Sequence, residues 1–437
     1  MSEAPRTETP PAARTFLFLE GPSSLLFVYI ARALEKRGHR CLRINLNAGD
    51  QIFWRHGGAT AYRGTAANWP GFVERFMLLN RVDELILLGE ERPYHQAACA
   101  AARRNGVRIS VVEMGYLRPD WITIEREGMS SNSRFPRDPA QILAAAEGLP
   151  EPDWTRRYSQ TFVADAGLDL VYNLPNVFLW FLYPHYRRHA IFHPLAEYVG
   201  WIRRLATGKR RAATAQARID RLLESERPFF VYPLQLETDF QLRAHSPYHS
   251  QKQAIDEILS SFAAHAPADT TLVIKVHPLD NDLIDWEAYA KARAEALGIS
   301  HRILYLDGGD LALLLGRSQG VVTVNSTVGL HAYQQAVPVK VLGSAVFDVE
   351  GLSDQRPLDV FWAEPHQPDP VLLSAFLRLM AATIQVRGNF YSLEGARAGA
   401  EAIAARLDAR DVNEPGAYVD PAPRRKPVKR AWPQGLS

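Results

Sequence analysis

Residues 15–46 read TFLFLEGPSSLLFVYIARALEKRGHRCLRINL, and this stretch decides the fold. The apolar run over 15–20 predicts a buried strand, and residues 21–24 predict a turn that begins a helix running to about Lys36. Gly38 is typical of a helix end, and residues 41–46 form a second apolar run. A strand, a helix and another strand in this order indicate a parallel βαβ unit.

The same alternation continues along the chain. Further strands are predicted at 84–88, 107–113, 228–232, 271–276, 302–306, 320–324 and 339–342. Helices are predicted at about 97–103, 251–264, 285–297, 370–383 and 394–407. The section from 120 to 209, rich in aromatics and arginines, breaks the rhythm and is predicted to hold loops and short helices. We therefore expect an α/β fold of two similar halves facing a cleft, with ligands beyond the carboxyl ends of the strands.

Composition narrows the class of protein. A chain of 437 residues is too long for one core and suggests two domains, and 47% hydrophobic with 22% charged residues is a globular balance. Fifty Lys and Arg against 48 Asp and Glu give a net charge of +2, so binding to nucleic acid by bulk charge is not expected. Cys41 and Cys99 cannot form a disulfide framework or a cysteine zinc site and are predicted to be buried thiols. With neither a secretory signal at the N-terminus nor an apolar stretch of 18 residues, the expected compartment is the cytoplasm or its membrane face.

Carboxylates follow two of the predicted strands. Glu113 ends the strand at 107–113, where burial in a cleft would suit it to general acid or base catalysis; the alternative is a solvated or helix-capping residue. Gln235 and Asp239, four residues apart, follow the strand at 228–232. An amide can orient a carboxylate and leave it ionised for nucleophilic attack; the alternative is that Asp239 only caps a helix.

Candidate anion-binding residues follow two more strands. Lys275 and His277 stand just before Pro278, and both side chains can bind a phosphate; a purely structural turn is the alternative. Asn325-Ser326-Thr327 begin a helix, where they can bind an anion or only cap that helix. The phosphate-binding Gly-rich loops, the Gly-x-Ser-x-Gly elbow and His-rich metal spacings are absent from the sequence, so neither a metal nor a cofactor is expected.

Together these motifs resemble those of the capsular polysaccharide biosynthesis and export proteins of the KpsS/LipB type and their KpsC relatives. The resemblance covers about residues 16–342, and its most specific part is 113–133. The motifs are Gln235-x-x-x-Asp239, Lys275-x-His277-Pro278, Asn325-Ser326-Thr327-Val328-Gly329-Leu330 and Glu113-x-Gly115-Tyr116-x-Arg118-Pro119. The His-Pro and Ser/Thr elements are also shared by bacterial sialyltransferases.

The resemblance implies a GT-B fold and a retaining, metal-independent β-Kdo transferase. It implies that CMP-β-Kdo is the donor, that the first Kdo is added to a phosphatidylglycerol-type lipid, and that this starts the poly-Kdo linker of a capsule. The single GT-B unit favours the KpsS-type role over the KpsC-type role. Two alternatives stay open: a non-catalytic export or scaffold protein, and another CMP-sugar transferase of the sialyltransferase kind.

The resemblance also implies a role for each site residue. Asp239 would be the nucleophile of a double displacement, Gln235 would orient it, and Glu113 would be the general acid/base. The CMP phosphate would be held by His277, Ser326 and Thr327, and Lys275 would offset the charge of the phosphate or of the Kdo carboxylate. Asn325 and Arg118 complete the expected substrate-binding set.

Two segments are candidates for a peripheral attachment to the inner membrane, beside a capsule biosynthesis or export complex. Residues 176–188 combine aromatic and basic side chains, and the alternative for them is a buried core helix with a basic end. The basic run at 424–430, followed by Trp432, is either a membrane anchor or a disordered solubilising tail. The predicted domains are a disordered tail at 1–14, an N-terminal Rossmann-like domain at 15–210 with an irregular acceptor- or membrane-facing insertion at 120–210, a CMP-sugar-binding domain with closing helices at 211–410, and a basic tail at 411–437.

Overall fold

The computed structural model describes residues 12–159 and 161–430, and the chain divides into two compact units. Unit 1 comprises the residues up to 113, 157–187 and 387–411, and unit 2 comprises 114–156, 188–386 and the residues from 412 onward. Each unit contains a parallel sheet with helices, so the predicted α/β class with two Rossmann-like halves is confirmed. The domain boundaries at residues 14, 210 and 410 stay a prediction.

Unit 1 is built on parallel strands in the order β3-β2-β1-β4-β5. The strands are β1 Thr15–Phe18, β2 Arg40–Asn45, β3 Ala59–Ala61, β4 Glu84–Leu88 and β5 Arg108–Met114. The helices are α1 Leu26–Lys36, α2 Ala48–Phe53, α3 Trp69–Asn80, α4 Pro93–Arg104, α6 Phe162–Phe178 and α15 Leu393–Ala409.

Unit 2 contains a second parallel sheet, in the order β11-β10-β7-β8-β9, and two further strands, β6 and β12, that neighbour each other. The strands are β6 Trp121–Arg126, β7 Phe229–Pro233, β8 Thr271–Lys275, β9 Ile303–Leu306, β10 Gly320–Thr323, β11 Val339–Val341 and β12 Gln385–Arg387, the last of which ends at the unit boundary. The longer helices are α7 Pro194–Glu224, α9 Gln251–His265, α10 Trp286–Ala296 and α14 Pro370–Thr383. The shorter ones are α5 Pro139–Ala145, α8 Phe240–Arg243, α11 Leu311–Arg317, α12 Val328–Gln334 and α13 Leu358–Phe361.

Both sheets have the same strand order. When each is numbered from its own first strand, the order is 3-2-1-4-5, which is that of dinucleotide-binding Rossmann folds. The order reverses between the first and fourth strands, and a ligand crevice forms at that point beyond the carboxyl ends. In unit 2 these two strands are β7 and β10, which pair directly.

The central strands are continuous apolar runs because helices cover both faces of a parallel sheet. All five residues of β7 and of β8 are buried. Phe230 of β7 packs edge-on against Trp362 with 5.0 Å between ring centroids, and Phe262 of α9 packs against the same indole at 5.2 Å. These aromatic contacts fix the sheet against its helices and so fix the positions of the strand ends.

The section from 120 to 209 was expected to be irregular, and this prediction is wrong. It contains α6, with 17 residues, and most of α7, with 31 residues. The helical period of α7 was hidden because Arg204 and Arg211, which are charged, occupy positions on its inward face. There they pair with Asp307 at 2.6 Å each.

The terminal segments are more ordered than predicted at the residues that the structure describes. Residues 1–11 and Trp432 lie outside the described part, but Arg14 is buried and donates hydrogen bonds to the carbonyls of Leu407 and Asp408. Arg424 is also buried, and its guanidinium bonds the carbonyls of Phe135, Pro136 and Val346. The charge of Arg424 is thus used inside the fold, which contradicts both the membrane-anchor and the solubilising-tail interpretation at this residue.

Candidate functional site

The candidate site lies at the carboxyl ends of β7 and β10 in unit 2. Gln235 follows β7, and Asn325 follows β10. The Asn325 backbone N–H donates to the Gln235 side-chain oxygen at 2.8 Å, and both residues are buried. This bond joins the two strand ends where the order of the sheet reverses, which is the expected ligand crevice of the fold.

The Asn325 side chain connects the end of β10 to the segment that follows β7. Its side-chain nitrogen donates to the carbonyls of Gln241 at 2.7 Å and His245 at 2.9 Å. The backbone of Gly343 passes so close that an added Cβ would lie 2.4 Å from the Asn325 Oδ1. The geometry therefore requires an amide at 325 and glycine at 343, and it attaches the segment after β7 to the end of β10.

Asp239 is held by the same segment. It is partly buried at the N-cap of α8, where its Oδ1 accepts the Gln241 N–H at 2.8 Å. Burial raises the pKa of the Asp239 carboxyl, and the Gln241 N–H, the Gln235 amide and the charge of Arg118 act in the opposite direction. The capping interpretation left open above thus holds, and the same contacts orient the carboxylate.

His277 follows β8 and is a neutral hydrogen-bond donor. Its Nδ1 accepts the Leu279 N–H at 3.0 Å, so in the neutral ring the proton is on Nε2. Burial, together with the charges of Arg118, Arg204 and Lys275, lowers its pKa to about 4. The ring therefore forms the structural turn that we considered and also keeps one N–H for a ligand across the neutral pH range.

Lys275 is buried at the end of β8. Its ammonium donates to the carbonyl of Gly308 at 2.6 Å, and burial lowers its pKa. Neighbouring charges act in both directions, because Asp307 raises the pKa of Lys275 and Arg204 lowers it. The ammonium thus already has a partner in the loop after β9, which it ties to the end of β8.

Ser326 and Thr327 begin α12, which has only seven residues. The Ser326 hydroxyl accepts the Val328 N–H at 3.3 Å, and the Ser326 N–H donates to the Thr323 hydroxyl at 3.0 Å. Within the described part of the chain, Thr327 makes no side-chain capping bond. The capping interpretation therefore holds for Ser326, while Thr327 keeps its hydroxyl for other contacts.

Arg118 supplies positive charge to this cluster. Its exposed side chain donates from Nε to the Gly115 carbonyl at 3.3 Å and acts electrostatically on Asp239, His277 and His331. The sequence analysis did not select His331. Among the described residues, its buried Nε2 has no hydrogen-bond partner, and burial lowers its pKa. The sequence feature that could have identified His331 is its position one helical turn after Thr327, on the same face of α12.

Glu113 belongs to unit 1, whereas every other predicted site residue belongs to unit 2. It is the next-to-last residue of β5 and is half-buried. Its charge helps to raise the pKa of Arg92, whose guanidinium also pairs with Glu20 at 2.8 Å. Within its own unit, Glu113 is therefore a half-buried carboxylate in a charged environment.

The polar network around Glu20 attaches α6 to unit 1, which sequence reasoning also missed. The Tyr172 hydroxyl donates to Glu20 at 3.2 Å, and the Gly49 N–H donates to the Asn176 side chain at 2.9 Å. A Cβ at Gly49 would meet the Tyr172 carbonyl at 2.5 Å, so α2 and α6 are in direct backbone contact. This packing fixes the segment that follows α6.

The aromatic segment at 176–188 is largely exposed. Phe178, Trp180 and Phe181 are 64%, 63% and 58% exposed, and Arg187 beside them is exposed too. Only Tyr183 is buried, with its hydroxyl donating to Gln51 at 3.0 Å. Exposure of three neighbouring large side chains contradicts the buried-core interpretation of this segment and is typical of an interaction surface.

Length and hydropathy together exclude a membrane crossing for every helix within 12–159 and 161–430.

Comparison with known proteins gives consistent relatives. The family described as "Capsule polysaccharide biosynthesis protein" matches residues 83–391. The "Capsule polysaccharide export protein KpsS" of Escherichia coli is 31% identical over 381 residues, covering 87% of this chain and 97% of that protein. The "Capsule polysaccharide modification protein LipB" of Neisseria meningitidis serogroup A is 30% identical over 392 residues, covering 87% of this chain and 92% of that protein.

Among solved structures, the β-Kdo 2,7 transferase of KpsC from Thermosulfurimonas dismutans is similar with a TM-score of 0.43 and 14% identity, covering 91% of this chain and 99% of that chain. The family match spans more than half of the chain and contains every predicted site residue, from Glu113 to Thr327. The chain is therefore a member of the capsule polysaccharide biosynthesis protein family.

Proposed function

We propose that this capsule biosynthesis protein is a retaining β-Kdo glycosyltransferase. In this proposal it transfers the first Kdo from CMP-β-Kdo to a (lyso)phosphatidylglycerol acceptor and so begins the poly-Kdo linker of a capsule. The observation that carries the proposal is the Asp239 carboxylate, which is partly buried and which the Gln235 amide and the charge of Arg118 favour in its ionised form, at the Rossmann switch point of unit 2.

Asp239 is the proposed nucleophile. One of its oxygens forms a bond to the anomeric carbon while the bond from that carbon to the CMP phosphate breaks, and CMP leaves with the electron pair. An acceptor hydroxyl then attacks the same carbon, and the Asp239 ester bond breaks. Glu113 is the proposed base that takes the proton of this hydroxyl. Two inversions give net retention.

The phosphate of the leaving CMP also carries a negative charge that the site must stabilise. In the proposal, the His277 Nε2–H and the hydroxyls of Ser326 and Thr327 bind its phosphate, and Arg118 and Lys275 balance its charge. His277 suits this role because a pKa near 4 keeps it a donor of constant charge at neutral pH. We assign the phosphate to these side chains rather than to a divalent cation, so chelators such as EDTA should leave transfer unchanged.

A lipid acceptor requires a surface that meets lipid. The exposed Phe178, Trp180 and Phe181, with Arg187 beside them, support a contact with the cytoplasmic face of the inner membrane. Aromatic rings favour the headgroup region, and a nearby cation favours anionic lipid. We propose that this segment receives the acceptor and places the protein at the membrane periphery.

The test is transfer by the purified protein, with CMP-Kdo generated in situ and lysophosphatidylglycerol as acceptor. Wild-type protein should yield a Kdo-lipid by mass spectrometry, and Asp239→Asn should yield none. Asn also caps helices well, so the fold should persist. Asp369→Asn is the matched control, because Asp369 caps α14 through the same kind of bond and lies outside the site.

Two outcomes would overturn the proposal. Folded wild-type protein that makes no product would favour the export or scaffold alternative. Product with CMP-sialic acid but not with CMP-Kdo would favour the sialyltransferase-like alternative. Intact mass spectrometry adds a mechanistic test, because wild-type protein given donor without acceptor should gain one Kdo mass, which Asp239→Asn should not gain.

A further inference from the structure

Helix α7 has two chemically different faces. The inward face is held to the body of unit 2 at several points. A Cβ at Gly200 would lie 2.0 Å from the Asn281 carbonyl, so the backbones are in close contact there. One turn further, Arg204 pairs with Asp307 at 2.6 Å, and Arg211 pairs with both Asp307 and Asp282 at 2.6 and 2.7 Å.

These contacts extend along the helix and fix its orientation. Toward the C-terminal end of α7, Ala215 and Ile219 are buried, and a Cβ at Gly309 would lie 2.4 Å from Ile219. Residues 200, 204, 211, 215 and 219 repeat at intervals of four or seven, which places them on one side of a helix. The opposite side is therefore presented outward in a fixed direction.

The outward side of the N-terminal half is apolar. Leu195, Val199 and Ile202 follow each other at intervals of four and three, and they are 43%, 49% and 67% exposed. Leu205 on the flank is 60% exposed. A water-soluble helix normally buries such a stripe, so its exposure on a rigidly attached helix indicates a partner surface.

The same face carries basic residues next to the apolar stripe. Arg203, Lys209 and Arg210 are all exposed and lie within about two turns of Ile202. Apolar side chains bordered by Lys and Arg are the composition of helices that lie in a membrane interface rich in anionic lipid. A second copy of the chain suits this face less well, because a symmetric pairing of the stripe would bring like charges together.

We propose that the outward face of α7, defined by Leu195, Val199, Ile202, Arg203, Lys209 and Arg210, is a docking surface for an anionic lipid bilayer. The apolar stripe enters the headgroup region, and the three cations contact lipid phosphates. This deepens the proposed function and rests on it for the lipid acceptor, because a docked helix would orient unit 2 toward the lipid that it modifies.

The test is flotation of the full-length protein with vesicles of phosphatidylcholine alone or mixed with phosphatidylglycerol. Wild-type protein should float with the mixed vesicles and lose binding as salt rises. The triple variant Arg203→Gln, Lys209→Gln, Arg210→Gln should bind less tightly by about fivefold per charge, which corresponds to about 1 kcal/mol each. Ile202→Glu should bind at least tenfold more weakly, since it places a charge in the stripe.

Matched controls distinguish an effect of the α7 face on vesicle binding from an effect of overall charge or hydropathy. The triple variant Arg32→Gln, Lys36→Gln, Arg75→Gln removes three exposed charges from unit 1, and Leu79→Glu changes an exposed apolar residue of α3. Both should bind vesicles like wild type. If the α7 variants and these controls bind equally, the docking proposal is overturned.

Transfer to a monomeric, short-chain acceptor in solution distinguishes this proposal from the proposed function. Loss of vesicle binding with transfer to the soluble acceptor retained supports both. Vesicle binding that depends on α7 without any transfer supports the docking surface and overturns the enzyme assignment. A wild-type dimer, seen by light scattering, that Ile202→Glu converts to a monomer would instead assign the face to a second copy and overturn the docking proposal.

Discussion

Replacing Gln235 by Leu tests whether its amide orients a catalytic carboxylate or only supports the fold. Leu has a similar size, so little cavity is created. The change removes the acceptor of the Asn325 N–H, a buried bond of 2.8 Å, and it removes the amide that lowers the pKa of Asp239. These two losses have different measurable consequences.

The first consequence is in stability. A buried backbone N–H left without its acceptor costs about 1–3 kcal/mol. We expect Gln235→Leu to lower the free energy of unfolding in urea by that amount. Gln385→Leu is the control for lost stability, because the buried Gln385 oxygen also accepts a backbone N–H inside unit 2, that of Tyr116 at 3.1 Å, and its amide nitrogen donates to the Thr123 hydroxyl. Both variants should lose stability.

The second consequence is in the pH dependence of transfer. The Gln235 amide lowers the pKa of Asp239, so its loss raises that pKa further. The nucleophile must be ionised, and activity therefore falls as the pH drops through the pKa of Asp239. The acidic limb of the profile of kcat/KM should move to higher pH in Gln235→Leu and stay in place in Gln385→Leu.

Gln235→Glu completes the design. Its carboxylate can still accept the Asn325 N–H, so stability should recover at neutral pH, but a negative charge beside Asp239 should move the acidic limb upward again. If Gln235→Leu and Gln235→Glu both keep the wild-type acidic limb, Gln235 does not tune the Asp239 carboxyl, and the orienting role is refuted. If the acidic limb moved equally in Gln385→Leu, the shift would result from the general loss of stability and not from a change at Asp239.

Three further predictions concern other parts of unit 2. In NMR titrations, the His277 ring signals should not shift between pH 5.5 and 8, because its pKa is about 4; a midpoint near 6.5 would contradict the neutral-donor assignment. Gly343→Ala should destabilise the protein by about 1–3 kcal/mol, because the added Cβ would displace the Asn325 side chain. The same variant should bind CMP more weakly when binding is measured by calorimetry. Gly298→Ala is the comparison, because Gly298 has open space around it but a positive φ, so this variant reports backbone strain alone. Arg424→Ala should lower the free energy of unfolding by several kcal/mol, because it removes the donors to three carbonyls, while vesicle binding per folded molecule should not change; a selective loss of vesicle binding would restore the tail to a membrane role.

The sequence alone predicts nine strands that the structure confirms, but it missed β3, β6 and β12. Helices cover both faces of a parallel sheet, so each strand is an apolar run in the sequence. Gly, Pro and polar residues mark the ends of each run. The polar residues after β7, β8 and β10 were recognised for the same reason. What could not be derived is that β7 and β10 are neighbours, because strand order depends on long-range packing. The Gln235–Asn325 bond is a product of that order.

The sequence interpretation failed where a charge is partly or fully buried. Arg204 and Arg211 interrupt the apolar period of α7, and Arg424 appeared as part of a solvent-exposed basic run. Each has an internal partner, an aspartate or a set of carbonyls, that is distant in sequence. Charged residues are seldom buried unless paired, and a single sequence does not reveal the pair.

The structural and catalytic interpretations of the site residues are compatible. Asp239 caps α8 through Oδ1, and a carboxylate has a second oxygen that can attack a donor. His277 forms a turn through Nδ1 and keeps Nε2 for a phosphate. In each case the structural bond uses one atom and orients the other, which is how a rigid scaffold achieves preorganisation. A polar residue that caps a helix or forms a turn can therefore also have a catalytic role. Variants such as Asp239→Asn separate the two roles, because they keep the structural bond and change only the remaining atom.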